Sequence, residues 1–293
     1  MLRLHTPIDG SIHLERPWAA PEAIDAALDA AVGAQRAWAE RALPERQAVI
    51  ARFIERLEAR AETLGAELAP QMGRPVRFGP KELLTCADRA RVMNRLAPQG
   101  LAPAPGDDRP GFDLYVERVP LGVVLVVPAW NYPWVIAVNA VVPALLAGNA
   151  VVLKHSSQTP LVGERYAELL AEAGLPEGVF HNLHATHEQT EQMVGDARVA
   201  FVAFTGSVKG GHAMVRAAAD RFVDQGLELG GKDPAYVRAD ADLDHAAAEL
   251  ADGAFFNSGQ SCCGIERIYV HRGLFDAFVE GVVEHARALR LGD

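Results

Sequence analysis

The chain has 293 residues, of which 49% are hydrophobic and 23% charged, with a formal net charge of -10. That length and apolar content suffice for one large core or two ordinary ones, and the acidic balance leaves no basic surplus for neutralising phosphates, which excludes a general nucleic-acid binder. Three cysteines, Cys86, Cys262 and Cys263, make no even framework, and the adjacent pair is poorly placed for an ordinary structural disulfide, which points to a reducing compartment.

In chain order, the N-terminus beginning Met1-Leu2-Arg3 lacks a long apolar stretch, so no secretory signal is expected and the cytoplasm is the expected location. Between residues 21 and 68 apolar residues recur at helical spacing: Ile24, Leu28, Ala31 and Val32, then Val49, Ile50, Phe53, Ile54 and Leu57. These predict amphipathic helices with solvated charged faces. A Pro/Gly-rich break from Ala97 to Gly111 precedes an extended segment at 113–119. Strand-like β-branched runs at 121–127, 150–153 and 200–204 then alternate with helical patterns at 161–172 and 212–220. Such alternation predicts an α/β fold with a parallel sheet, which takes its ligand beyond the carboxyl ends of the strands, where the segments starting at Pro128, His155 and Thr205 lie. The most apolar region, 119–147, is broken by Pro120, Pro128, Pro133 and Pro143 and is no membrane span. A second α/β unit opens after Gly231, with a helix at 243–257, a strand at 267–271 and a helix at 274–289.

The chemistry gathers in the last quarter of the chain. Phe255-Phe256-Asn257-Ser258-Gly259-Gln260-Ser261-Cys262-Cys263 sets a thiol on a Gly-containing turn. Cysteine attacks as thiolate, so it needs a lowered pKa or a nearby proton acceptor. Glu228, in Glu228-Leu229-Gly230-Gly231-Lys232, is the candidate acceptor. His181, His184, His187 and Glu188 look metal-like, but no third ligand at sensible spacing accompanies them, and no metal is expected.

Five segments stand in order: Val127-Pro128-Ala129-Trp130-Asn131-Tyr132-Pro133, Leu153-Lys154-His155-Ser156-Ser157-Gln158-Thr159-Pro160, Phe204-Thr205-Gly206-Ser207, Glu228-Leu229-Gly230-Gly231-Lys232 and Gly259-Gln260-Ser261-Cys262. Together they resemble the NAD(P)-dependent aldehyde dehydrogenase superfamily, from roughly residue 20 to the last residue. The resemblance implies a Rossmann-like parallel-sheet dinucleotide-binding domain plus the first part of a second α/β catalytic domain. It divides the chain into a helical part at 1–97, an oligomerisation-type strand segment at 98–119, a dinucleotide-binding domain at 120–230 and an incomplete catalytic domain at 231–293.

By the same resemblance, Cys262 is the nucleophile of a thiohemiacetal and thioester route from aldehyde to carboxylic acid, Glu228 the general base and Asn131 an oxyanion donor. Lys154, Ser157, Gly206, Ser207, Pro128, Trp130 and Gly230 form the cofactor face. Many NAD-preferring relatives carry a glutamate where Ser157 stands, and losing that carboxylate relieves repulsion of a 2′-phosphate. The cofactor is therefore expected to be NAD or NADP. The resemblance implies a small-molecule aldehyde as substrate, of a kind these motifs do not specify; relatives continue well past the position of Asp293, and a homo-oligomer is expected once the C-terminal part is supplied. A second reading is a truncated, catalytically silent homologue that binds dinucleotide or a partner chain.

Overall fold

The computed structural model describes residues 1–292. Strands β1 (Leu2–His5) and β2 (Ile12–Arg16) form an antiparallel hairpin, followed by helices α1 (Pro21–Glu40), α2 (Leu43–Ala59), α3 (Ala61–Ala66), α4 (Leu68–Met72) and α5 (Gly79–Gly100). Two-residue strands β3 (Ala104–Pro105) and β4 (Tyr115–Val116) pair with one another. The alternating region gives β5 (Val123–Val127), α6 (Pro133–Leu146), β6 (Ala150–Leu153), α7 (Pro160–Glu172), β7 (Phe180–Asn182), α8 (His187–Gly195), β8 (Val199–Gly206), α9 (Val208–Ala217) and β9 (Asp224–Leu229). Last come β10 (Asp233–Val237), α10 (Leu243–Phe255), β11 (Ile265–Val270) and α11 (Phe275–Ala288). Among the described residues no helix is long and apolar enough to cross a membrane.

Five strands form one parallel sheet in the order β7-β6-β5-β8-β9. Its central strands bury both faces, which is why they read as unbroken β-branched runs. Val124, Val126, Val151 and Leu153 face a core shared with α2, α5, α6 and α7. Val123, Leu125, Val127, Ala150 and Val152 face the opposite core, filled by Ile24 and Leu28 of α1 with Met193 and Met214 of α8 and α9. Helices on both faces make the doubly wound arrangement that strand-helix alternation predicts. A separate two-stranded parallel sheet pairs β10 with β11 and packs Val237 against Ala247 of α10 and Phe278 of α11.

Three departures from the sequence reading have local causes. Helix α5 runs to Gly100 and holds Pro98 in its last turn, so the expected break at residue 97 falls inside a helix. Only Tyr115 and Val116 of the extended segment at 113–119 pair as a strand. Helix α9 begins at Val208, earlier than the apolar spacing predicts, because Ser207 caps it: the Ser207 hydroxyl accepts from the Gly210 N–H at 3.0 Å.

The turn after β6 is fixed by a buried histidine. His155 Nε2 lies 3.3 Å from the Pro133 carbonyl oxygen and Nδ1 lies 3.2 Å from the Thr159 hydroxyl, so a neutral ring protonated at Nε2 satisfies both neighbours. Burial pulls its pKa from 6.5 down to about 4. The unfolded chain therefore binds this proton more tightly than the folded one, and the stability contribution is complete above pH 6.5 and shrinks as pH falls towards 4. The expected loss is about 3 kcal/mol. Urea unfolding across this window should show the wild type losing stability faster than His155→Gln; parallel profiles would refute the assignment.

Candidate active site

The carboxyl ends of β5, β6, β8 and β9 open onto a single cleft of about 1620 Å³. The strand order brings four separate loops there, as expected of a parallel sheet. Pro128, Trp130 and Asn131 follow β5, Lys154 follows β6, Gly206 ends β8 with Ser207 next, and Glu228 and Gly230 sit at the end of β9; all of them line the cleft, as does Cys262. Ser157 does not. It is exposed outside the cleft wall, and Ser156 takes the lining position.

Cys262 owes its place to a backbone reversal. Helix α10 stops at Phe255 because Asn257 and Ser258 turn left-handed, with φ of 52° and 59°, followed by Gly259 at 75°. Asn257 is buried and secures the reversal: its Nδ2 donates to the carbonyls of Asn131 (3.0 Å) and Gln260 (3.1 Å), and its own carbonyl accepts from Gln260 Nε2 at 3.1 Å. Asn131 Nδ2 donates to the same Gln260 carbonyl at 3.1 Å, which brings its amide to the segment leading into Cys262. The chain after Glu228 also closes on this loop, since a Cβ built on Gly231 would lie 3.4 Å from the Cys262 carbonyl oxygen.

Partial burial pushes the Cys262 thiol above its ordinary pKa, and the neighbouring Cys263 adds to the shift. A thiol held protonated at neutral pH needs a proton acceptor before it can attack. Glu228 is exposed to the same cleft. Cys86, by contrast, is fully buried, and its thiol is pushed up to about 12, which makes it inert.

A buried ion pair underpins the site from below. Arg74 bonds Glu82, and their side chains are 4% and 1% exposed. The same guanidinium donates to Asn257 Oδ1 at 3.0 Å and to the Asn131 carbonyl at 2.8 Å, and it stacks 4.7 Å from the centre of the Tyr132 ring. Glu82 in turn accepts from the Trp134 N–H at 2.9 Å, capping the start of α6. One charged pair therefore ties α5, α6, the Asn131 loop and the Cys262 loop together. Arg74 and Glu82 went unmarked in the sequence because buried charges look like any others among 66 charged residues. The signal that could have exposed Arg74 is its place in the turn Gly73-Arg74-Pro75, where Gly73 has φ of 75°.

At the other end of the cleft the polar groups favour an anionic, hydroxyl-rich ligand. Lys154 is 5% exposed, and burial lowers its pKa. Its ammonium takes part in no ion pair of the described residues, an unusual state for a buried cation. The amino end of α9 lines the same cleft with Ser207 and Lys209, a helix terminus suited to phosphate. Gly206 leaves room for the Phe204 ring there, since a Cβ at that position would lie 2.6 Å from the ring's tip and force it to shift.

The model of the aldehyde dehydrogenase family matches residues 2–293. A succinate-semialdehyde dehydrogenase [NADP(+)] of Mycolicibacterium paratuberculosis is 38% identical over 81% of this chain and 51% of its own length. A betaine aldehyde dehydrogenase of Cereibacter sphaeroides is 39% identical over 94% of this chain and 57% of its own length. The NADP-dependent glyceraldehyde-3-phosphate dehydrogenase of Bacillus halodurans, solved with NADP, superposes with a TM-score of 0.93 at 32% identity, covering 99% of this chain and 62% of that one. The chain thus spans about half the length of the curated relatives it matches. It belongs to the aldehyde dehydrogenase family.

Proposed function

We propose that this chain carries the nucleophile and the dinucleotide face of an enzyme that oxidises an aldehyde to a carboxylic acid with NAD or NADP. The reading rests on one observation above the rest: Cys262, Asn131 and Glu228 share a cleft with the carboxyl ends of a parallel sheet and with Lys154 and Ser207. In this reading Glu228 takes the thiol proton, and Cys262 Sγ forms a bond to the aldehyde carbon. The Asn131 amide and the Cys262 backbone N–H meet the oxygen as it gains charge. Bound NAD(P)+ would supply the two-electron hydride acceptor that passage of this Cys262 adduct to a thioester requires. Glu228 passes the thiol proton on to solvent and, again a carboxylate, removes a proton from water, whose oxygen displaces Cys262 as thiolate and leaves the acid.

Lys154, Ser207 and the amino end of α9 would hold the ribose and pyrophosphate, with Gly206, Gly230, Pro128 and Trp130 shaping the channel. The fit lies in the donor set: a desolvated ammonium and a capped helix terminus, with no acidic partner for the ammonium among the described residues. The proposed division sets the cofactor-binding part at 120–230 and the nucleophile-bearing part after residue 231. The exposed β3–β4 pair, with Tyr115 at 57% and Val116 at 65% exposure, is the proposed contact between subunits.

The test is nicotinamide absorbance with NAD+ and NADP+ over a panel of aldehydes, with Cys262→Ala alongside. The expected result is turnover that the variant abolishes. Dinucleotide binding with no turnover by folded wild-type chain would favour the silent homologue instead.

A further inference from the structure

Helices α5 and α6 start together beneath the nucleophile loop and run outward side by side. Their contacts advance in step, from Glu82 on the Trp134 N–H at 2.9 Å to Arg89 Nη1 on Asn139 Oδ1 at 3.1 Å. Packed against each other in the core, both helices also line the Cys262 cleft along a shared groove. Lys81, Thr85 and Arg89 form one stripe of α5 at four-residue spacing, and Val135, Ile136 and Asn139 form the facing wall on α6. Lys81 and Arg89 are separated by roughly 12 Å along the helix at 1.5 Å per residue, so the stripe follows the groove from the nucleophile end outward.

The charges in this groove run against those of the chain, which carries -10 overall. The carboxylates nearest on α5 are already engaged, Glu82 by Arg74 and Asp88 by Arg91. Lys81 and Arg89 take part in no ion pair of the described residues, and Arg89 spends only one N–H on Asn139. Two of the aromatic rings lining the cleft already carry a cation on one face: Arg74 stands 4.7 Å from the Tyr132 centroid and Arg77 stands 4.6 Å from that of Phe78. Ring faces covered by guanidinium groups offer no cage to a quaternary ammonium.

We propose that the α5–α6 groove selects aldehydes whose far end carries an anion, a carboxylate or a phosphate, with Lys81 and Arg89 as the residues that set this preference. The proposal rests on Cys262 being the nucleophile. Charge-assisted hydrogen bonds to the tail hold the substrate in register, while a trimethylammonium tail meets like charge.

Two measurements test it. Aldehydes of matched length with carboxylate, phosphate, methyl and trimethylammonium ends are compared by kcat/KM. The anionic members should exceed the methyl one at least tenfold, the trimethylammonium member should be poorest, and the ranking of carboxylate and phosphate identifies the natural tail. Lys81→Gln and Arg89→Gln should each lower the anionic value about tenfold, mainly through KM, and leave the methyl-ended aldehyde unchanged. The second readout needs no turnover: iodoacetamide labelling of Cys262 in a Cys263→Ser background, with glutarate or betaine as competitor. Glutarate should slow labelling and betaine should not. Equal protection by both, or a preference for the trimethylammonium aldehyde, would overturn the proposal while Cys262 remained the nucleophile. Failure to label Cys262 in the folded chain would overturn the nucleophile assignment, and this proposal with it.

Discussion

Replacing Arg74 with methionine is expected to lower folding stability by about 3–5 kcal/mol, the range for breaking a buried ion pair by removing one partner. Burial pulls the guanidinium down only to about 10, so at neutral pH it is still charged and balances Glu82. Methionine fills much of the volume but leaves the Glu82 carboxylate 1% exposed with its main partner gone, and a buried charge without a counter-ion costs far more than the pair itself contributes. Glu82 must then take up a proton or drag the start of α6 towards water, because the Trp134 N–H depends on it. Asn257 Oδ1 also loses its arginine donor, and the Asn131 carbonyl keeps only that from Asn257 Nδ2. Chemical denaturation of Arg74→Met, Glu82→Met and the double variant measures this directly. The double variant should be less destabilised than the sum of the single ones, since replacing both partners removes the stranded charge. Arg74→Lys keeps the charge but cannot reach three acceptors at once and should fall between. A loss below about 1 kcal/mol for Arg74→Met would show that the pair does not hold the site together.

Asn131→Ala is expected to reduce kcat by about 10²–10³-fold, the cost of deleting one donor to a developing oxyanion. The effect is specific to the transition state, so KM should change much less. Stability should fall by only about 1 kcal/mol, because the side chain makes one hydrogen bond, to the Gln260 carbonyl. That separates the variant from Arg74→Met, whose damage lies in the fold. Steady-state kinetics with any aldehyde that turns over checks the point. A kcat within tenfold of the wild type would remove Asn131 from the oxyanion role and leave it as a tether for the Gln260 turn.

The central strands were legible because they are buried on both sides: Val123 to Val127 and Ala150 to Leu153 can be little else. The edge strands were not. Phe180-His181-Asn182 and Asp224-Gln225-Gly226 carry too little apolar pattern to announce a strand, and only pairing with β6 and β8 defines them. Residues presented to the cleft, such as Cys262, Glu228 and Asn131, stood out because they fall in short motifs that resemble those of a known family. The supporting layer of Arg74, Glu82 and His155 did not, since burial is a tertiary property and neither period nor spacing reports it. Ser157 shows a similar limit: which of two adjacent serines faces the cleft depends on the turn that buried His155 fixes.

The left-handed run before Cys262 sets folding against chemistry. Asn257 and Ser258 occupy a conformation that costs an L-residue roughly 1–2 kcal/mol each, at φ of 52° and 59°. Glycine would relieve that cost at Ser258, yet it would also loosen the segment that delivers the thiol, because glycine has more freedom to lose. On the proposed function, variants chosen for heat resistance alone would drift away from the geometry that Cys262 needs as the proposed nucleophile, and selection for that chemistry would retain this small, permanent instability.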